Sequence, residues 1–381
     1  MLIPDYNNSI LNLVSAITLR PDTSASEYEP LPHFRDMRLN NSCVVLLIID
    51  GLGDKYLQSR PGSFLHHHRR GKLSSVFPPT TATAVTSFFT GVAPQQHAIT
   101  GWHTYFKELG AVGTILPFIP RYRGPCFTEA NISPAQLVQH DSLLSTLNIP
   151  SHVVLPHQFS DSTYSQTLSE GATRHGYENP AEMFELIRQL VNPQHPGLII
   201  AYWPGLDSLA HTHGMDSPET NAHFIDLDKG CRNSLAPLAE QGVTIVITAD
   251  HGLIDTCEER IIHLEDHPKL SSLLTLPLCG EPRCAFCYVR SDSGKVFERY
   301  IKENLKFACQ LRKSEELIRE GYFGKGTASS RLRERVGEYT LLMKENYIIK
   351  DRLLNENPFN LIGVHGGLSA EELYVPLIIL K

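Results

Sequence analysis

At 381 residues and 42.6 kDa, the chain is long enough to bury a substantial core and too long for a disulfide-stapled miniature fold. Its 41% hydrophobic and 20% charged residues are ordinary globular values, which excludes whole-chain disorder and fibrous repeats. With 34 basic and 41 acidic residues the net charge is −7, so there is no global electrostatic footprint for nucleic acid or an anionic membrane.

In chain order, residues 1–8 lack the basic leader and apolar run of a secretory signal, and no later run reaches membrane-span length. A cytoplasmic location is therefore expected. Residues 9–17 predict a short amphipathic helix capped by Ser9. Residues 21–38 mix Pro, Ser, Glu and Asp, and read as a linker or surface wrap.

Cys43–Ile49 is a continuous apolar run that ends at Asp50-Gly51, the pattern of a strand buried on both faces of a parallel sheet. The pattern returns at Gly197–Trp203, ending near Asp207, and at 243–248, ending in Asp250-His251-Gly252. Residues 152–155 and 359–364 are shorter strand candidates. Helical patterns lie between, at Pro180–Leu190 and at 219–238. Strands alternating with helices predict an α/β fold, with a mostly parallel central sheet and helices on both faces.

From 280 to 350 the apolar runs shorten and the helices become charged, as at Gly294–Asn304. This stretch is expected to form a small inserted α/β cap between two parts of the core, 1–279 and 351–381. The eight cysteines are scattered, which argues against a disulfide framework. Cys284 and Cys287 form a CxxC inside a strand-like run with no second CxxC, so buried packing is the simpler account. Residues 66–70, three histidines and two arginines, read as a solvated loop, and Arg121 and Arg123 as members of an exposed one.

The chemistry lies where the apolar runs stop. Ligands bind at the C-terminal edge of open α/β sheets, so Asp50, Asp207, Asp250 and His251 should converge there. A buried strand has no structural use for a terminal carboxylate unless its charge is compensated. Asp207 and His211 stand one helical turn apart, and His365 precedes Gly366-Gly367, a backbone that permits close approach. Mixed carboxylate and imidazole donors suit zinc ahead of manganese or iron. Residues 77–91 add an extended Pro-Pro entry followed by an Ala-rich helix. A Thr81 hydroxyl at that helix start has backbone N–H donors beside it, which suits a phosphoryl group. Threonine is a weak nucleophile unless a base or metal lowers its pKa.

Taken in order, Ile49-Asp50-Gly51, Thr81 before Gly91, Asp207 with His211, Asp250-His251-Gly252 and His365-Gly366 resemble the alkaline phosphatase superfamily. Closest is the nucleotide pyrophosphatase/phosphodiesterase branch and its bacterial relatives. The resemblance covers roughly residues 43–279 and 355–381. It implies an alkaline-phosphatase-like fold and two Zn2+ ions, one on Asp207, His211 and His365, the other on Asp50, Asp250 and His251 with Thr81. It also implies that Thr81 is the nucleophile of a covalent phospho-threonine pathway acting on a phosphodiester or phosphoanhydride.

The chain departs from the branch in two places. Ala82-Thr-Ala84 replaces the usual Phe-Pro-Asn after the nucleophile, and Trp102 occupies the position of an expected phosphate-binding asparagine. The oxyanion donor is then backbone, another side chain, or nothing. The expected partner is a small phosphoester, a nucleotide among the candidates, with neither nucleic acid nor membrane. A phosphomonoesterase is the competing enzymatic reading, and a non-catalytic binding module the competing reading from another class. Oligomeric state and the purpose of the 280–350 stretch stay open.

Overall fold

The computed structural model describes residues 1–18, 27–34, 43–354, 356 and 361–381. The strands among them run, in chain order, β1 (Cys43–Ile49), β2 (Arg69–Ser74), β3 (His103–Phe106), β4 (Ala111–Thr114), β5 (Ile119–Pro120) and β6 (Ser151–Pro156). Next come β7 (Thr173–Tyr177), β8 (Gly197–Trp203), β9 (Thr244–Thr248), β10 (Ile254–Asp255), β11 (Ile261–His263) and β12 (Cys279–Glu281). The last are β13 (Cys284–Cys287), β14 (Cys309–Lys313), β15 (Tyr339–Met343), β16 (Ile348–Lys350), β17 (Gly363–Val364) and β18 (Tyr374–Leu380).

The central sheet has the order β2-β18-β9-β1-β8-β6-β7. β9, β1, β8, β6 and β7 pair in parallel, and β18 joins antiparallel between β9 and β2. Every residue of β1 is buried, as its unbroken apolar run predicts, because neighbouring strands and the flanking helices cover it on all sides. The helices Pro180–Leu190 and Pro218–Glu240 pack on the sheet and on each other. This is the predicted α/β architecture.

A second seven-stranded sheet has the order β14-β15-β13-β12-β3-β4-β5. Four of its strands come from residues 279–343, and three from 103–120, far earlier in the chain. The single backbone pairing of Gly280 with His103 joins the two halves. Short, weakly apolar β3, β4 and β5 carry no period long enough to have announced this pairing.

Several local expectations are corrected. The N-terminal helix forms at Ile10–Thr18, but it is buried almost all round rather than on one face. Its Ser9 hydroxyl donates to Asn12 Oδ1 at 2.6 Å instead of capping a backbone N–H. Residues 66–70 are not a loop: Phe64–His67 is helical and β2 starts at Arg69, whose guanidinium forks onto buried Asp54 at 2.6 and 2.9 Å. Arg121 is buried, not exposed, and is held by Asp351 at 2.7 Å and Glu356 at 2.9 Å. Of the strand expected at 359–364, residues 359 and 360 lie outside the described residues, and of the other four only Gly363–Val364 is a strand. Most of the 21–38 segment lies outside them; inside, Tyr28, Leu31 and Phe34 are core residues. Cys284 and Cys287 are buried free thiols within β13. No helix among the described residues is long and apolar enough to cross a membrane.

Candidate active site

β1, β8 and β9 are neighbours in the sheet, so the turns at their C-terminal ends open at one edge. Asp50 follows β1, and its backbone N–H donates to the Trp203 carbonyl at 2.9 Å, tying the first turn to the end of β8. Gly51 then takes φ +77, and a Cβ there would overlap Leu253 and crowd Asp207, so glycine is required for the Asp50 turn to approach its partners. Asp207 lies in the first turn of the helix Gly205–His213 and His211 in its last, with His211 Nε2 3.1 Å from Asp207 Oδ2. Asp250 and His251 follow β9. Gly252 behind them presses against the Glu371 carbonyl, with no room for a side chain.

His365 arrives by a different route. β17 pairs antiparallel with β10, directly after the Asp250-His251 turn, and delivers His365 to it. The rings of His251 and His365 stack with centroids 3.9 Å apart, and the ring of His211 lies 5.3 Å from that of His365. Two groups of donor atoms thus form: Asp50, Asp250 and His251, and Asp207, His251 and His365, each with its ligand atoms within 4.8 Å of one another. His213, one residue past Thr212 on the exposed side of its helix, stays out of both groups.

Thr81 occupies the first position of the helix Thr81–Thr90, with its Oγ1 3.1 Å from His251 Nε2. The Nδ1 of His251 faces the Gly252 carbonyl at 3.2 Å and that of His211 faces the Gly363 carbonyl at 2.6 Å. With Nδ1 of each ring directed at a carbonyl, Nε2 is the ring atom turned toward the carboxylates.

The electrostatics of the cluster are unresolved by the protein itself. Asp50 Oδ1, Asp207 Oδ1, Asp250 Oδ2 and His365 Nδ1 are buried without a hydrogen-bond partner. Burial, then the charges of Asp250 and Asp207, push the Asp50 carboxyl well above the usual carboxylate range, against the hydrogen bond it accepts from Tyr202. Burial, then the rings of His251 and His211, hold His365 well below its ordinary value and so neutral. Burial also opposes the charged form of His211, but Asp207 beside it raises that ring's pKa on balance. Three carboxylates, each with an orphaned oxygen, and His365 with an orphaned ring nitrogen, beside His211 and His251, form a donor set that fits divalent cations of the zinc type.

A model of the type I phosphodiesterase / nucleotide pyrophosphatase family matches residues 44–368. The chain belongs to this family. A pyrophosphatase/phosphodiesterase of Schizosaccharomyces pombe, itself uncharacterized, is 23% identical over 202 residues, which are 52% of this chain and 41% of that relative. The match therefore spans less than half of that relative's length. Murine ectonucleotide pyrophosphatase/phosphodiesterase 5 has a similar fold, with TM-score 0.66 and 17% identity over 88% of this chain and 87% of that one. Phosphonoacetate hydrolase from Sinorhizobium meliloti, in complex with phosphonoformate, gives TM-score 0.64 and 17% identity over 90% and 91% of the two chains.

Within this family framework, the surroundings of Thr81 contain residues that sequence reasoning missed. Glu281, at the end of β12, is buried in the cavity wall and accepts from Thr80 Oγ1 and from the Trp102 backbone N–H, both at 2.6 Å. Burial lifts its carboxyl to about 7, against both hydrogen bonds. Trp102, at the position of the expected asparagine, is about one-third exposed and lines the cavity, while its N–H is consumed by Glu281. Thr80, the N-cap, makes no side-chain cap because its hydroxyl is turned to Glu281. The first-turn N–H groups of the Thr81 helix therefore lack their usual side-chain partner. Nothing in the local sequence around Glu281 or Tyr202 signals either role: Tyr202 lies inside a run read as a buried strand, and Glu281 at the start of the stretch read as a cap.

Of the aromatic residues near the site in sequence, Phe106 is buried in the core and Tyr105 packs edge-on against Tyr288. Trp203 is sandwiched between Tyr177 and His223.

Proposed function

We propose that the chain hydrolyses phosphodiester or phosphoanhydride bonds through a phospho-threonine at Thr81, on a centre of two zinc ions. The observation that carries this reading is Thr81 Oγ1, 3.1 Å from His251 Nε2, beside buried carboxylate and imidazole atoms that have no protein partner. Asp207, His211 and His365 would hold one ion, and Asp50, Asp250 and His251 the other, next to Thr81. Such ions, when bound, supply Lewis acidity to phosphoryl oxygens and lower the pKa of a hydroxyl or water. Manganese fits the same donors less closely.

Thr81 Oγ1 attacks phosphorus in line, giving up its proton to solvent; the Oγ1–P bond forms as the bond to the leaving oxygen breaks. Water then adds to the phospho-threonine, restores the hydroxyl and releases the phosphoryl product. The first-turn N–H groups of the Thr81 helix, left free of Thr80, meet the non-bridging oxygens in place of the missing asparagine. An inactive threonine-to-alanine variant of the murine relative was captured with AMP, which supports a threonine in this role. A phosphomonoesterase on the same residues is the second reading, and a preference for p-nitrophenyl phosphate over its bis-ester would favour it.

Thr81→Ala is expected to lower turnover of bis-p-nitrophenyl phosphate by about 1,000-fold or more, while elemental analysis still finds two zinc ions per chain. Wild-type activity in that variant would remove Thr81 as nucleophile, and a metal-free protein that turns over normally would remove the centre.

A further inference from the structure

The cavity that contains Thr81 and the donor cluster measures about 830 Å3, and only part of it is polar. Val85 and Phe89 follow Thr81 by about one and two turns on the same helix face, and both line the cavity. Leu116, Leu155, Phe159 and Leu168 continue this wall. The short helix Thr163–Leu168 packs against Thr81–Thr90 and closes the arm.

Apart from Gln158, which is exposed at the mouth, the lining polar side chains from Ser162 to Ser169 are engaged with their neighbours. The Tyr164 hydroxyl shares a hydrogen bond with Thr86 Oγ1 at 2.6 Å. Ser162 Oγ donates to Ser165 Oγ at 2.9 Å, and Ser169 Oγ donates to the Ser165 carbonyl at 2.6 Å. The charged residues that line the cavity away from the cluster are Arg121, just past β5, and Lys350 and Asp351, at the end of β16. There the Arg121 guanidinium is neutralised by Asp351 and Glu356. A nucleoside in the arm would leave its ring and sugar donors and acceptors unpaired, each weakening binding by roughly tenfold.

We propose that this arm is the subsite for one ester group of the substrate, and that it takes a hydrocarbon chain. The substrate class is then a phosphodiester of an apolar alcohol rather than a nucleotide. This rests on the phosphodiesterase reading above. The arm starts beside Thr81 and runs along its helix, so it receives the group retained on phosphorus; the leaving oxygen departs from the side opposite Oγ1. Each methylene taken from water into such a wall strengthens binding by about fourfold.

The test is a series of p-nitrophenyl n-alkyl phosphates (methyl, butyl and octyl) with the p-nitrophenyl ester of thymidine 5′-phosphate as competitor, on the zinc-loaded enzyme. The expected result is a kcat/KM that climbs by roughly threefold to fourfold per methylene, with the octyl ester at least tenfold above the thymidine ester. Leu168→Trp, which fills the arm, and Phe159→Asp, which charges its partly exposed mouth, should each cut the octyl-to-methyl ratio at least tenfold. A series flat in chain length, or preference for the thymidine ester, overturns the proposal.

Calorimetry with n-alkylphosphonates reads the same subsite without turnover. Affinity should rise with chain length, with a heat-capacity change that grows more negative. Failure to cleave any diester would sink the phosphodiesterase reading, and the binding series alone then decides the arm: a rising affinity upholds it and a flat one ends it.

Discussion

Two buried polar clusters in this molecule both hold carboxylates and satisfy them in opposite ways. Between β12 and β13, Arg283 forks onto Glu372 at 3.0 and 2.8 Å, donates to the Tyr347 carbonyl at 2.6 Å, and leaves Glu372 to accept from the Gly367 N–H at 2.7 Å. Charge and hydrogen bonds close on themselves, and the pair fastens the second sheet to the C-terminal segment. At the edge of the central sheet, Asp50, Asp207 and Asp250 converge with no arginine or lysine among them, and each keeps an unpartnered oxygen. A protein tolerates the second arrangement only where something outside the chain completes it. The contrast separates a fastening from a site better than burial does, since both clusters are almost wholly buried.

Removing divalent metal should break the comparison most visibly. Chelation is expected to abolish turnover and to lower the melting temperature by several degrees, because three carboxylates are left facing one another. Zinc should restore both; a melting temperature indifferent to chelation would mean that the cluster is satisfied without a cation.

Glu372→Gln attacks the other member of the pair. It strands the Arg283 charge in the interior and should cost about 3–5 kcal/mol in urea unfolding, with zinc content unchanged. A loss of zinc on this substitution would show that the two clusters are not independent.

The smallest effect concerns Glu281, between the two. Its folded carboxyl, lifted to about 7 from an ordinary 4.5, keeps a proton that the unfolded chain releases. Stability from this group is thus present below pH 4.5 and declines as pH rises toward 7. Glu281→Gln should flatten that part of the stability–pH curve in metal-free protein, as followed by urea midpoints. Identical slopes in variant and wild type would contradict the buried, raised carboxyl.

The legible part of the fold was the part with long, uninterrupted apolar runs. β1, β8 and β9 announce themselves because strands covered on both faces admit few polar residues, and the carboxylates at their ends stand out against that background. The pairing of β3, and through it β4 and β5, with β12, where Gly280 meets His103 across 177 residues of chain, did not announce itself. Those strands are short, and β-pairing leaves no mark on either partner alone. Arg121 illustrates the same limit, since a charged residue in a Pro- and Gly-rich stretch reads as exposed until its distant partners Asp351 and Glu356 are known.

By itself the sequence determined which residue types stand at strand ends and in what order. Carboxylate, threonine and imidazole in that order are what carry the resemblance to the phosphodiesterase family, and the family match over residues 44–368 agrees with it. Only the tertiary structure decided what surrounds that chemistry. The antiparallel pairing of β10 with β17 brings His365 onto His251, the second sheet brings Glu281 onto Thr80 and Trp102, and the packing of two short helices lines the arm beside Thr81. Each depends on contacts between residues remote in the chain, whose free energy comes from burial and complementarity that no local pattern encodes.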